Sequence, residues 1–256
     1  MNCRVSGRLW ILALSTVGGC GDSGGADMAP RDLTMGPPDL TAPAPDLAVP
    51  GDLGAAGDLS APGVSPLLSF FITSETGSGK LGGLAGADAR CLRLAEAAGV
   101  KGKRWAAYLS TSGEGGMSAK NRIGKGPWHN AKGVKIADDV ATLHAPNNNV
   151  NKQTALDERG RVVNGRGDMP NQHDILTGSK ADGTVNGTAT CANWTSEAGV
   201  GMSDKATVGH HDREGGGADP MSWNSAHDTA GCSAPALVST GGAGRFYCFA
   251  VGGGDQ

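Results

Sequence analysis

The sequence predicts a mixed α+β domain with long loops, and three observations carry that expectation. Residues 84–98 have the periodicity of one amphipathic helix. Several short apolar runs have the length and glycine boundaries of buried strands, the last of them at 244–251. Glycine, 43 of 256 residues, leaves little chain for further regular elements. The run 244–251 places Phe246, Tyr247 and Phe249 beside Cys248, in a chain where aromatics are only 4% of residues. It reads as a buried closing strand whose cysteine needs a partner far back in the chain.

Residues 1–19 read as an export signal. Arg4 and Arg8 precede the apolar stretch Leu9-Trp10-Ile11-Leu12-Ala13-Leu14, well short of the roughly 20 apolar residues of a spanning helix. Val17-Gly18-Gly19-Cys20 is similar to the lipobox of bacterial lipoproteins, which implies a lipid on Cys20 and an anchor in the membrane. An ordinary secretory signal cleaved nearby is the alternative. Gly21 ahead of Asp22 favours the outer membrane of the bacterial envelope. Residues 20–65 then form a stalk: Pro38-Asp39-Leu40, Pro45-Asp46-Leu47, Gly51-Asp52-Leu53 and Gly57-Asp58-Leu59 repeat small, polar and Pro-rich units that bury no core.

Residues 66–256 are long enough for one domain with a core. Residues 67–73 suit a first strand. The following Gly79-Lys80 pair is not a phosphate-binding loop, because Ser74 and Leu81 stand where that motif needs glycine and Ser or Thr. Leu84, Ala87, Cys91, Leu94, Ala95 and Ala98 share one face of the helix. Asp88 is expected to favour its positive N-terminal turn, and Gly99 to stop it. Residues 104–110 read as a buried strand, followed by a glycine turn at 113–116. Residues 121–187 look irregular, with local order at 133–140 and 161–163. Residues 190–195 read as a short strand, and 209–218 as a polar, glycine-rich loop.

Beyond Cys20 the mature chain holds Cys91, Cys191, Cys232 and Cys248. An even set in an exported chain implies two disulfides, and spacing alone leaves three pairings open. Cys91 on the inner face of a helix and Cys248 on the closing strand favour the nested set, Cys91–Cys248 with Cys191–Cys232. A cysteine zinc site lacks ligand spacing.

The order of these segments resembles the endostatin-like branch of the C-type lectin fold. The match is carried by residues 82–91, Trp105-Ala106-Ala107-Tyr108-Leu109-Ser110, Leu176-Thr177-Gly178-Ser179, Cys191-Ala192-Asn193-Trp194, Gly231-Cys232 and Arg245-Phe246-Tyr247-Cys248. The resemblance implies nested disulfides and a binding role, on a glycan or another surface polymer. Calcium is the ion that sugar-binding members use. Here Asp168-Met169-Pro170-Asn171 and Trp223-Asn224-Ser225 are similar to their calcium triplets, but Asp168 stands one residue early and Ser225 replaces a carboxylate. Endostatin's N-terminal zinc histidines have no counterpart.

Other candidates are weighed on residue type. His210, His211, Asp212 and Glu214 form the densest polar cluster, with His227 and Asp228 near in sequence. They suit a metal or an acid–base pair, or a loop ordered by its own hydrogen bonds. Adjacent histidines in an extended chain face opposite sides, so one at most serves a given site. Asp168 and Asn171 join this set as metal candidates; Trp223, Asn224, Asp228, Arg104, Lys120 and Arg122 are candidates for polymer contact. The basic stretch from Arg90 to Lys135 fits an acidic polysaccharide or lipid head group, or a solvated face balanced by the acidic C-terminal half; no nucleic-acid partner is expected. No nucleophile elbow or spaced triad points to an enzyme. The expectation is a lipid-anchored binding module, with a protein-binding adhesin as the alternative and a metal-dependent hydrolase at 210–214 the remoter one.

Overall fold

In chain order the computed structural model has β1 (Phe70–Ile72), α1 (Gly83–Ala97), β2 (Arg104–Ala107), β3 (Trp128–His129), β4 (Lys135–Ala137), α2 (Val140–His144), β5 (Asp174–Leu176), α3 (Cys191–Trp194), β6 (Thr207–His210), β7 (His227–Asp228), α4 (Ala234–Val238) and β8 (Gly242–Val251). It describes residues 63–252, all within the second of two compact units of the chain, Asp58–Gln256. The expected export signal, the expected lipid attachment at Cys20 and the expected stalk up to residue 62 fall outside the described residues.

The aromatic run at the end of the chain is the axis of the main sheet. Antiparallel β1 and β2 flank its C-terminal half, with Phe70 opposite Phe249 and Ala107 opposite Cys248. Parallel β5 pairs with its N-terminal half, placing Asp174 beside Gly242. Antiparallel β6 and β7 extend the sheet beyond β5. Side chains alternate across the sheet, which divides the core in two. Phe246 and Cys248 pack with Phe71, Trp105, Ala107 and α1. Tyr247 and Phe249 pack with Phe70, Ile72, Trp128 and Ile123 on the other side.

Helix α1 buries Ala87, Cys91, Leu94 and Ala95, the face its periodicity predicts. It ends at Gly99, whose positive φ lets Gly99 N–H bond to Glu96 O and Val100 N–H to Ala95 O, a Schellman closure. Asp88 does not serve the N-terminal turn, which holds no acid. It sits one turn further on, where it accepts from Ala107 N at 2.8 Å and pairs with Arg122 at 2.7 Å. It thereby ties the helix to β2.

Residues 190–195 are corrected from strand to turn. Cys191, Ala192, Asn193 and Trp194 all have positive φ, a single left-handed turn capped by Thr190. A strand would send Cys191 and Trp194, three residues apart, to opposite faces; the turn buries both on one side. Trp194 Nε1 then donates to Ser110 O at 2.8 Å. The polar loop expected at 209–218 is also corrected, since its first two residues belong to β6. Gly209 is required in that strand because a Cβ there would lie 1.9 Å from Trp223 O.

The nested disulfides are both formed, Cys91–Cys248 across 157 residues and Cys191–Cys232 across 41. Beneath the sheet, Tyr108 OH accepts from Asn224 Nδ2 at 2.9 Å and donates to His144 Nε2 at 2.7 Å. His144 Nδ1–H in turn donates to Val140 O at 2.7 Å. Burial holds the His144 ring below its ordinary pKa, against its bond to Val140 and with Lys120 and Asp182 nearby. A histidine kept neutral binds fewer protons folded than unfolded. Its contribution is therefore complete above about pH 6.5 and is lost as pH falls below that value toward the folded pKa. Urea midpoints at pH 7.5 and 5 are expected to differ less in His144→Gln than in the parent chain. An equal difference in both would contradict this role.

Candidate functional site

The far edge of the sheet gathers imidazoles and carboxylates through strand register. Asp174 stands opposite His210 across β5 and β6, and His227 stands opposite Val208 across β6 and β7. Val208 and His210 are two residues apart, so Asp174, His210 and His227 share one face. His173 enters from just before β5. The result is a convergence on one atom: His173 Nε2, His210 Nε2 and His227 Nε2 lie 3.1, 3.3 and 3.5 Å from Asp174 Oδ1. Potential ligand atoms of His173, Asp174 and His210 all lie within 4.8 Å of one another, a spacing that could hold a metal ion.

The cluster is buried at its base and reachable at one side. The side chains of His210 and Asp174 are 0% and 1% exposed, whereas His227 is 23% exposed. The His173 and His210 rings stack with centroids 4.2 Å apart. Glycine backbone closes over them: a Cβ on Gly215 would lie 2.9 Å from His173 Cε1, and one on Gly217 would lie 3.0 Å from His227 Cδ2. Outside lies an open cavity of about 470 Å³, with His173 and His227 in its wall together with Arg166, Asn171 and Thr240.

The electrostatics follow from these contacts. Burial pushes the Asp174 carboxyl up, but the approach of His210 and His227 outweighs it and holds the group below the usual carboxylate range. The same approach to Asp174 raises His227 against its partial burial. Burial also acts to raise Asp212; His173 and the N–H groups of Arg166 and Glu214 overcome it and hold that carboxyl far down.

Of the residues singled out in the sequence, His210, Asp212, Asn171 and Asp228 belong to this edge. Asp212 Oδ1 faces His173 Nδ1 at 3.3 Å, and Asn171 Oδ1 accepts from His173 N at 3.2 Å. Asp228 Oδ1 accepts from Thr207 Oγ1 at 2.9 Å, while its carbonyl faces His227 Nδ1. His211 turns to the other side, as alternation requires. There it meets Asn164 O at 3.1 Å, and burial pushes its pKa down to about 4. Glu214 is exposed on the loop. Asp168 is held by Lys152 at 2.6 Å and by Gly165 N at 2.7 Å.

The lectin-like triplet at 223–225 points inward. Trp223 and Asn224 are buried; Trp223 O accepts from Tyr247 OH, and Asn224 Nδ2 donates to Tyr108 OH and to Lys180 O. Side chains so engaged do not supply the six to eight oxygens of a calcium site. Half of the ten basic residues of this stretch are paired: Arg90 and Arg93 with Glu75, Lys120 with Asp182, Arg122 with Asp88 and Lys135 with Asp138. Arg104 is exposed at the start of β2, apart from the His–Asp cluster in the sheet order.

His173 and Asp174 were not singled out by sequence reasoning. A signal was present in the recurrence of the dipeptide His-Asp at 173–174, 211–212 and 227–228, which accounts for three of the six histidines. Comparison of the chain with protein-family models and with curated proteins gives no match in either.

Proposed function

We propose that the chain is an envelope-anchored binding module that takes anionic groups of a surface polymer in the cavity beside the His–Asp cluster. One observation carries this reading. The cavity wall brings the guanidinium-bearing Arg166, the Asn171 amide and the Thr240 hydroxyl together on one open concave surface. Convergent polar groups in a concavity are the ordinary form of a recognition site, and these three can all donate to an oxyanion. A uronate or sulfated glycan at the cell surface supplies such groups in series. The processing signal and spacer are consistent with display away from the membrane, and the nested disulfides agree with an endostatin-like, C-type lectin-like arrangement. Calcium is not needed for recognition in this form.

The test is pull-down and calorimetry with acidic and neutral polysaccharides. Hydrogen bonds to charged groups are worth about 1.5–3 kcal/mol. Arg166→Ala is therefore expected to weaken an acidic polymer by about 10- to 100-fold. Silence of the parent protein toward acidic and neutral polymers alike would remove the reading.

A further inference from the structure

We propose that His173, Asp174 and His210 bind one divalent first-row transition ion, with zinc the preferred occupant and His227 at the exposed side of the site. The argument starts from where the protons are. Each of the three rings has an acceptor opposite its other nitrogen: His173 Nδ1 faces Asp212 Oδ1 at 3.3 Å, His210 Nδ1 faces Pro220 O at 3.1 Å, and His227 Nδ1 faces Asp228 O at 3.1 Å. With the ring hydrogen on Nδ1, toward these acceptors, Nε2 of a neutral ring is a lone pair. In that tautomer His173 and His210 turn lone pairs toward a carboxylate oxygen, which itself can only accept.

Among the described residues both Asp174 oxygens and His210 Nε2 are buried without a hydrogen-bond partner. A buried carboxylate left in this state costs several kcal/mol, and a cation among these atoms removes that cost. Protons fill the role poorly. Doubly protonated His173 and His210 would stack two like charges with ring centroids 4.2 Å apart. A single metal ion serves His173, Asp174 and His210 at once, whose ligand atoms all lie within 4.8 Å of one another.

The dimensions agree with that occupant. Zinc is held by nitrogen at about 2.0–2.1 Å and by carboxylate oxygen at about 2.0–2.2 Å, and a tetrahedron of that size has edges of about 3.3 Å. His173 Nε2 and His210 Nε2 lie 3.1 and 3.3 Å from Asp174 Oδ1, two edges of that size. The partners at Nδ1 are those of metal-bound histidines, where a carboxylate or carbonyl fixes the ring and raises its basicity. Two imidazoles and one carboxylate suit zinc and its transition-metal neighbours, whereas calcium and magnesium require oxygen ligands. His227, the most exposed of the four, marks the side from which the ion enters.

The experiment uses the mature chain, disulfides intact. The protein is stripped with chelator and titrated with Zn²⁺, Co²⁺ and Ca²⁺ by calorimetry, with metal content measured by mass spectrometry and the visible spectrum of the Co²⁺ form recorded. The expected result is one equivalent of zinc, a tetrahedral cobalt spectrum and no calcium heat. His210→Ala and His173→Ala should each weaken zinc by more than 100-fold, while His211→Ala, on the opposite side of β6, should change it less than threefold. Should His210→Ala fail to fold, His173→Ala decides the matter. Absence of stoichiometric zinc from folded parent protein, or unchanged affinity in His173→Ala, would overturn the assignment.

Discussion

Replacing Cys91 and Cys248 together by alanine is expected to lower the stability of the domain by about 5 kcal/mol. The loop they close spans 157 residues, and the chain-entropy treatment gives that magnitude for closure of a loop of this length. The bond acts where the fold is most dependent on distant sequence. Phe70 pairs with Phe249 and Ala107 with Cys248, so β1 and β2 must find the end of the chain before the sheet exists. Small domains have only about 5–15 kcal/mol in total, so the double variant should be close to unfolding at ambient temperature. The second bond, across 41 residues, is expected to contribute about 4 kcal/mol by the same relation. Urea unfolding without reductant measures both. A loss under 1 kcal/mol for the Cys91/Cys248 pair would show that packing alone holds the ends together.

The second large effect is a reversal of sign at Asp174. In metal-free protein both oxygens of its carboxylate are buried beside the Nε2 atoms of His173 and His210 without a hydrogen-bond partner among the described residues. Asp174→Asn removes the charge and supplies two N–H groups to those nitrogens, so the metal-free variant should be more stable than the parent by about 1–3 kcal/mol. With free zinc at 1,000 times its Kd, the parent gains about 4 kcal/mol by linkage, and the variant should gain almost none. The order of stability therefore inverts on adding zinc. Thermal unfolding of both proteins with and without the ion tests this directly. A variant less stable than the parent in both conditions would mean that protons, not a metal, hold the cluster.

The parts of the fold legible in the sequence are those where local pattern and tertiary role coincide. Helix α1 shows its buried stripe as periodicity, and the aromatic run of β8 is apolar because both of its faces are covered. The left-handed turn at Cys191–Trp194 was not legible, because nothing in Cys-Ala-Asn-Trp requires positive φ at four successive residues. Its shape comes from seating Trp194 and the Cys191 bridge on the same side. Strand β6 was hidden by Gly209 and His210, residue types that suit a loop; the glycine is there for Trp223 O and the histidine for Asp174.

The site was half legible for a related reason. His210 and Asp212 stood out as a dense local cluster, but ligand sets assembled by register are not close in sequence. His173–Asp174, His210 and His227 become neighbours only when β5, β6 and β7 align. A polar pair opening the buried strand Asp174–Leu176 resembles a loop in sequence. Only the recurrence of His-Asp hinted that the three segments belong together.

The most direct measurement is the metal content of the folded protein after exposure to equimolar Zn²⁺ and removal of excess ion. One zinc per chain is expected in the parent and less than one tenth of that in the His210→Ala and His173→Ala variants. A folded, disulfide-bonded parent that retains no zinc, or variants that retain as much as the parent, would contradict the metal-centred account of this sheet edge.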